Sequence, residues 1–216
     1  MKISVFGLGY VGCVSAACFA SQGIQVIGVD INQAKVDAIG SGRSPIVEPG
    51  IEHLISNAFK QGTLSATTDT LKAVTESAIS FVCVSTPGKS NGSLDLSSVK
   101  RACQQIGAAL ESVNRFHIVA VRSTLLPGTI EEVLIPVLEV YSGKREGLDF
   151  GVAVNPEFLR EGTALYDFNN PPFTLVGARN EDTIAPLRKL YSKVQAPFIA
   201  AAVKEIEAVK YACNSF

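Results

Sequence analysis

Residues 1–32 read MKISVFGLGYVGCVSAACFASQGIQVIGVDIN, and their order decides the fold. Residues 2–6 are a short apolar run rich in β-formers. Residues 25–29 are a second one, and Asp30 stands at its tip. Between them lie Gly7-Leu8-Gly9-Tyr10-Val11-Gly12 and an alanine-rich stretch of helical character reaching about Gln22. A strand, a glycine turn, a helix and a second strand ending in an acid make the opening unit of an open α/β sheet.

Each position in that unit has a physical task. Gly7 permits the tight turn out of the strand. The missing Cβ of Gly9 lets a pyrophosphate approach the backbone, and Gly12 lets the helix pack close to the sheet. Unpaired N–H groups at the helix start, together with its dipole, favour a doubly negative phosphate bridge. Asp30, eighteen residues beyond Gly12, can accept hydrogen bonds from a ribose diol, and its charge repels a 2′-phosphate. The expected cofactor is therefore NAD rather than NADP. An ordinary glycine-rich turn is the alternative; the strand before, the helix after and the acid beyond weigh against it.

The same alternation continues outward. Asn32 suits the cap of a helix to about Ile39, in which Lys35 either reaches the adenosine end of a cofactor on Asp30 or is a solvated surface lysine. Residues 41–50 are a loop with two prolines, and Pro49 fits the first turn of a helix to about Lys60. Strands are expected at 63–67, 78–84, 116–121, 150–154, 173–176 and 198–200. Helices are expected from Thr68 or Asp69 to Thr75, from Asp95 to Val113, and over 129–141, 181–193 and 203–216. Strands and helices in alternation imply a doubly wound parallel sheet.

Composition narrows the function. The 216 residues carry a net charge of −1, which gives no electrostatic footprint for nucleic acid, and the 47% hydrophobic content suits a buried parallel sheet. No apolar run has membrane-spanning length. Five scattered cysteines with no C-x-x-C pair point to reduced thiols in the cytoplasm, with no disulfide, zinc or other metal site expected.

In an open α/β sheet the ligand lies beyond the carboxyl ends of the strands. Three groups fall there or beside it. Thr86 and Thr124 sit at strand ends, where their hydroxyls can bond a ribose or nicotinamide amide or else satisfy their own loops. Glu157 and Glu161 follow Asn155-Pro156; on a helical turn they would share a face and suit acid–base work, unless Arg160 neutralises them on an exposed turn. Lys210 and Asn214, also four apart, can bind an oxyanion or sugar hydroxyls; the alternative is a surface Glu207–Lys210 pair.

Seven stretches together resemble one family: FGLGYVG (6–12), VIGVDIN (26–32), SPIVEPG (44–50), FVCVSTP (81–87), VRSTLLPGT (121–129), NPEFLREGTA (155–164) and VKYACN (209–214). In that order they span essentially the whole chain and are similar to the N-terminal part of the UDP-glucose/GDP-mannose dehydrogenases. RSTLLPGT and DFGVAVNPEFLREGTALYDFNNPP are most like the members that oxidise GDP-mannose; UDP-glucose and N-acetylated UDP sugars remain the alternatives. The resemblance implies a Rossmann-like NAD-binding domain over 1–200 and the start of a central connecting helix over 201–216. It implies a four-electron oxidation of a sugar C6 alcohol to a carboxylate, with two NAD reduced in turn and a cysteine holding the aldehyde as a thiohemiacetal and then a thioester. Tyr10, Val11, Asp30, Lys35, Thr86 and Thr124 would contact NAD, and Thr124 would also help hold a water. Glu161 would aid water attack and touch substrate beside Glu157. Lys210 would stabilise the oxyanion, and Asn214 would hold the sugar.

One family feature is absent: no G-G-x-C motif follows, and none of Cys13, Cys18, Cys83, Cys103 or Cys213 has that context. The expectation is the cofactor-binding half of a longer cytoplasmic enzyme, a homodimer or higher homo-oligomer through its central helix, with a nucleotide-sugar substrate and neither nucleic-acid nor membrane partners. Alone, the chain would bind NAD without oxidising sugar. A β-hydroxyacid dehydrogenase shares the glycine turn and a helix lysine but lacks NPEFLREG; a non-catalytic NAD-binding regulatory module is the rival of another class.

Overall fold

The first half of the chain forms β1 (Lys2–Phe6), α1 (Tyr10–Ser21), β2 (Gln25–Val29), α2 (Gln33–Gly40), α3 (Ile51–Lys60), β3 (Leu64–Thr67), α4 (Thr70–Glu76), β4 (Ile79–Val82) and α5 (Ser97–Leu110). Then follow β5 (His117–Val121), α6 (Ile135–Ser142), β6 (Phe150–Val154), α7 (Ala164–Asn169), β7 (Thr174–Ala178), α8 (Glu181–Leu190), β8 (Phe198–Ala201) and α9 (Val203–Ser215). This computed structural model describes residues 1–90 and 92–215, and the side chains of Asn214 and Ser215 lie outside the description.

The strands make one eight-stranded sheet in the order β3-β2-β1-β4-β5-β6-β7-β8. The chain steps outward from β1 to β3, then returns to the other side of β1 as β4. The crevice between the carboxyl ends of β1 and β4 is thus the topological switch point, where open sheets bind ligands. Strand side chains alternate between two cores because both faces are covered. Ile118 and Ala120 of β5 join α1, α3 and α7 on one face. Val119 and Val121 join α5 and α6 on the other.

α1 is buried from Gly12 to Ala20. Its small residues permit that approach: a Cβ on Gly12 would stand 1.8 Å from the Gly7 carbonyl oxygen, while Gly7 itself turns with φ +92°. Phe19 anchors the helix against Phe81, Phe168 and Tyr191, with ring centroids 5.0–5.5 Å apart.

The sheet is not wholly parallel. β7 runs antiparallel to β6, pairing Val154 with Gly177, and β8 follows β7 in parallel. Parallel neighbours need a crossover along one sheet face. Residues 155–173 instead stay at the carboxyl end of β6 around the short α7, so β7 enters from that end and heads back down. Smaller expectations also shift. Pro49 precedes α3 rather than opening it, because Gly50 interposes a left-handed turn at φ 82°. Asp95 lies two residues before α5 and accepts from the Ser97 N–H at 2.9 Å. The helix expected over 129–141 opens with a π-helical turn, Ile130–Leu134, before α6.

Candidate cofactor and substrate site

A cleft of about 820 Å³ fills the switch-point crevice. Its walls run from Asp30 and Lys35, past Gly7, Gly9, Tyr10 and Val11, to Thr86, Thr124 and Glu157. The sequence-predicted cofactor residues are therefore gathered along one groove, with Gly12 packed beneath it against Gly7.

At one end, Asp30 Oδ2 accepts the Leu8 N–H at 2.7 Å and Oδ1 accepts the Asn32 N–H at 2.9 Å. These bonds aim the carboxylate across the glycine turn. Lys35, offered by the sequence as a cofactor contact or a solvated lysine, sits 3.4 Å from Asp30 Oδ2 and is only one-third exposed. A carboxylate has about four acceptor sites, so a ribose diol can still bond there. In the middle, no side chain caps the start of α1 and an added Cβ on Gly9 would meet nothing within 4 Å. Open backbone N–H groups at a helix start with room in front of them fit a pyrophosphate.

At the far end, Thr86 Oγ1 donates to the Thr124 carbonyl at 2.8 Å and so joins the loops after β4 and β5. Asn155 continues β6, donating its N–H to the Val121 carbonyl. After Pro156 no helix forms, so the expected shared face of Glu157 and Glu161 does not exist: Glu157 is partly buried in the cleft wall and Glu161 is exposed. Glu157 and Arg160 instead make bonds that compete with a helical turn. Glu157 Oε2 accepts the Leu159 N–H at 2.7 Å. Arg160 turns away to Asp167 at 2.7 Å, so its ion pair is with that residue and not with Glu157 or Glu161.

Lys210, on α9, is 5% exposed. Its Nζ donates to the Glu157 carbonyl at 2.5 Å and to Glu157 Oε1 at 3.2 Å, and lies over the Phe158 ring. The alternative of a surface Glu207–Lys210 pair is overturned: Glu207 is also buried and accepts from the Gly128 and Ile130 N–H groups at 2.6 and 2.9 Å. Burial pushes the Glu207 carboxyl up despite those bonds. The Asn214 side chain lies outside the described residues.

Cys83 lines the cleft, but burial first of all pushes its thiol up to about 12, as it does those of Cys13, Cys18 and Cys103. A protonated, packed thiol is a poor nucleophile. Among the described residues no cluster of His, Cys, Asp and Glu is placed for a metal ion, and no helix is long and apolar enough to cross a membrane.

Sequence reasoning gave no role to two buried groups. Arg122 donates to Asn155 Oδ1 at 2.8 Å and to the Tyr191 hydroxyl at 2.5 Å, tying β5, β6 and the end of α8 together under the cleft. Glu48, in the proline loop, accepts from Tyr10 and from residues 162 and 164. Arg122 gave a signal as a charge ending an apolar strand; Glu48 gave only its place between Val47 and Pro49.

Residues 1–195 match the UDP-glucose/GDP-mannose dehydrogenase family, NAD binding domain. The chain belongs to this dehydrogenase family. It is 50% identical over 214 residues to the GDP-mannose 6-dehydrogenase of Pseudomonas aeruginosa, covering 99% of this chain and 49% of that protein. It is 36% identical to the UDP-glucose 6-dehydrogenase AglM of Haloferax volcanii, covering 51% of that protein. The fold superposes on a ternary complex of GDP-mannose dehydrogenase from Pseudomonas aeruginosa with a TM-score of 0.98 at 49% identity, over 100% of this chain and 49% of that one. A UDP-glucose dehydrogenase from Pyrobaculum islandicum gives 0.94 at 40% identity, over 99% of this chain and 49% of that one. The chain thus spans about half the length of the curated relatives it matches. As the family's NAD-binding domain, it takes NAD as its cofactor, and the open backbone at Gly9 and the carboxylate at Asp30 fit that cofactor.

Proposed function

We propose that this chain is the cofactor-binding part of a nucleotide-sugar 6-dehydrogenase acting on GDP-mannose, taking C6 from alcohol to carboxylate and yielding GDP-mannuronate. The observation that carries the reading is the continuity of the cleft: it runs from Asp30, the expected ribose acceptor, to Glu157, which buried Lys210 grips from α9. The 50% identity to a GDP-mannose 6-dehydrogenase supports the choice of sugar.

NAD supplies the hydride acceptor. On this reading Tyr10, Val11, Asp30, Lys35, Thr86 and Thr124 bind and orient it, with Gly7, Gly9 and Gly12 keeping its path clear. Lys210 brings a cation to a water-poor site, where it counts most against the negative charge developing on the sugar oxygen. Its ammonium has three donors, and two already hold Glu157. Glu161 and Asn214 meet the substrate, and Thr124 and Glu161 serve the water step. We assign residues 1–200 to the NAD domain and 201–216 to the start of the helix through which two or more copies associate in the cytoplasm.

The test is a panel of GDP-mannose, UDP-glucose and N-acetylated UDP sugars offered to the intact enzyme while NADH is followed. GDP-mannose should give the highest kcat/KM; preference for a UDP sugar would overturn the substrate assignment. The 216-residue chain by itself should bind NAD yet sustain no NADH production from any of them, since carrying the aldehyde on to the carboxylate calls for a reactive thiol and its cleft thiol, Cys83, is held protonated. Steady turnover would refute that division of labour.

A further inference from the structure

Glu48 is 7% exposed. Its Oε2 accepts the Tyr10 hydroxyl at 2.5 Å and the Gly162 N–H at 2.8 Å. Its Oε1 accepts the Ala164 N–H at 2.8 Å. Burial of a carboxylate is costly, and here three neutral donors meet that cost. Burial would raise its pKa, but the bonds from Tyr10, Gly162 and Ala164 outweigh it and leave the carboxyl below its ordinary range.

The two segments joined by this carboxylate are far apart in the chain and have different tasks. Tyr10 opens α1 and lines the cofactor cleft. Gly162 and Ala164 end the loop that carries Glu157 and Glu161. The other end of that loop is held at the Glu157 carbonyl by Lys210. The loop is therefore pinned at both ends, and the Glu48 pin also reaches a residue of the cofactor cleft.

We infer that Glu48 is a positioning residue that couples occupancy of the cofactor cleft, through Tyr10, to the ordering of the loop bearing Glu161. This rests on NAD binding beside Tyr10. Coupling of this kind is reciprocal: if the loop's order favours NAD, NAD must favour the loop's order.

The test follows the amide hydrogen exchange of Gly162 and Ala164 in the 216-residue chain by NMR, with NAD affinity from calorimetric titration. In the unaltered chain, saturating NAD should slow exchange at both amides by about fivefold or more. Glu48→Gln turns an NH2 group toward one of the three donors; it should speed exchange at Gly162 and Ala164 by about tenfold and weaken NAD by about fivefold. Tyr10→Phe keeps the carboxylate on the two amides. Their exchange in the free chain should stay slow while the NAD-linked slowing is lost. Glu48→Asp, which retains the charge, should recover part of the NAD affinity. A role confined to stability would lower the melting temperature without moving the NAD-linked exchange.

Should NAD bind and leave both amides of the unaltered chain unaffected, the inference falls while the cofactor assignment stands; that measurement needs no variant to fold. Glu48→Gln binding NAD within about twofold of the unaltered chain overturns it as well. Failure of the unaltered chain to bind NAD at all would remove the cofactor assignment and this inference together.

Discussion

Asp30 is legible twice over. Its place at the tip of the second strand marks it as the expected ribose acceptor, and in the fold its oxygens are aimed by the Leu8 and Asn32 amides. Asp30→Ala should weaken NAD by about 1–3 kcal/mol, the range for a buried polar contact losing its partner; calorimetric titration with unchanged affinity would remove the ribose role. Lys210 was visible as a residue but not in its setting, because burial of a charge on a helix face depends on what packs against that face. With its ammonium on Glu157 and developing charge as its proposed target, Lys210→Ala in the intact enzyme should lower kcat by about a hundredfold or more. NAD affinity should stay near normal. A large loss of cofactor affinity with kcat retained would contradict the assignment. Glu48 escaped because its partners lie 38 to 116 residues away along the chain, and nothing local announces them.

Among the elements, the β1–α1 turn separates two glycines that a motif treats alike. An added methyl at Gly12 would strike the Gly7 carbonyl at 1.8 Å, whereas at Gly9 it would enter open space. Gly12→Ala should therefore cost about 2 kcal/mol or more of folding stability through overpacking. Gly9→Ala should leave stability within about 0.5 kcal/mol and instead weaken NAD by crowding the pyrophosphate. Urea melts beside NAD titrations of both variants separate the two roles; equal stability losses would show that the distinction is wrong. The loop over 155–163 is the contrary case. Its spacing suited a helical turn, but Pro156 and the competing bonds of Glu157 and Arg160 keep residues 157–160 out of a helix, so the two acids divide between the cleft wall and solvent.

The molecule as a whole carries a buried polar column of Ser77, Ser4, Ser80 and His117 through its sheet, with oxygens and the imidazole 2.8–2.9 Å apart. Burial, and secondarily nearby Arg115, push the His117 pKa from 6.5 down to about 3. The unfolded chain then takes up a proton below pH 6.5 that the folded one refuses until about pH 3. Stability from this residue is full above pH 6.5 and is lost as pH falls through that window. The slope is at most about 1.4 kcal/mol per pH unit. Between pH 7 and pH 5 the loss should be about 2 kcal/mol in urea melts, and His117→Gln should abolish most of it. Glu207, its carboxyl raised chiefly by burial, acts in the opposite sense, so the comparison with the variant decides. An unchanged slope in His117→Gln would show that another group governs the acid limb.

By itself the sequence determined the doubly wound α/β class, the glycine turn, the acid at the second strand's tip and hence the cofactor. All of these are written in neighbours a few residues apart, where backbone sterics and side-chain periodicity act. Only the tertiary structure decided that β7 turns back against β6, that Lys210 and Glu207 are interior, and that Glu48 bridges Tyr10 to the loop of Glu161. Those outcomes depend on which distant segment supplies the donor for a buried acceptor. A short stretch of chain holds no record of that until the sheet has assembled and water has been excluded.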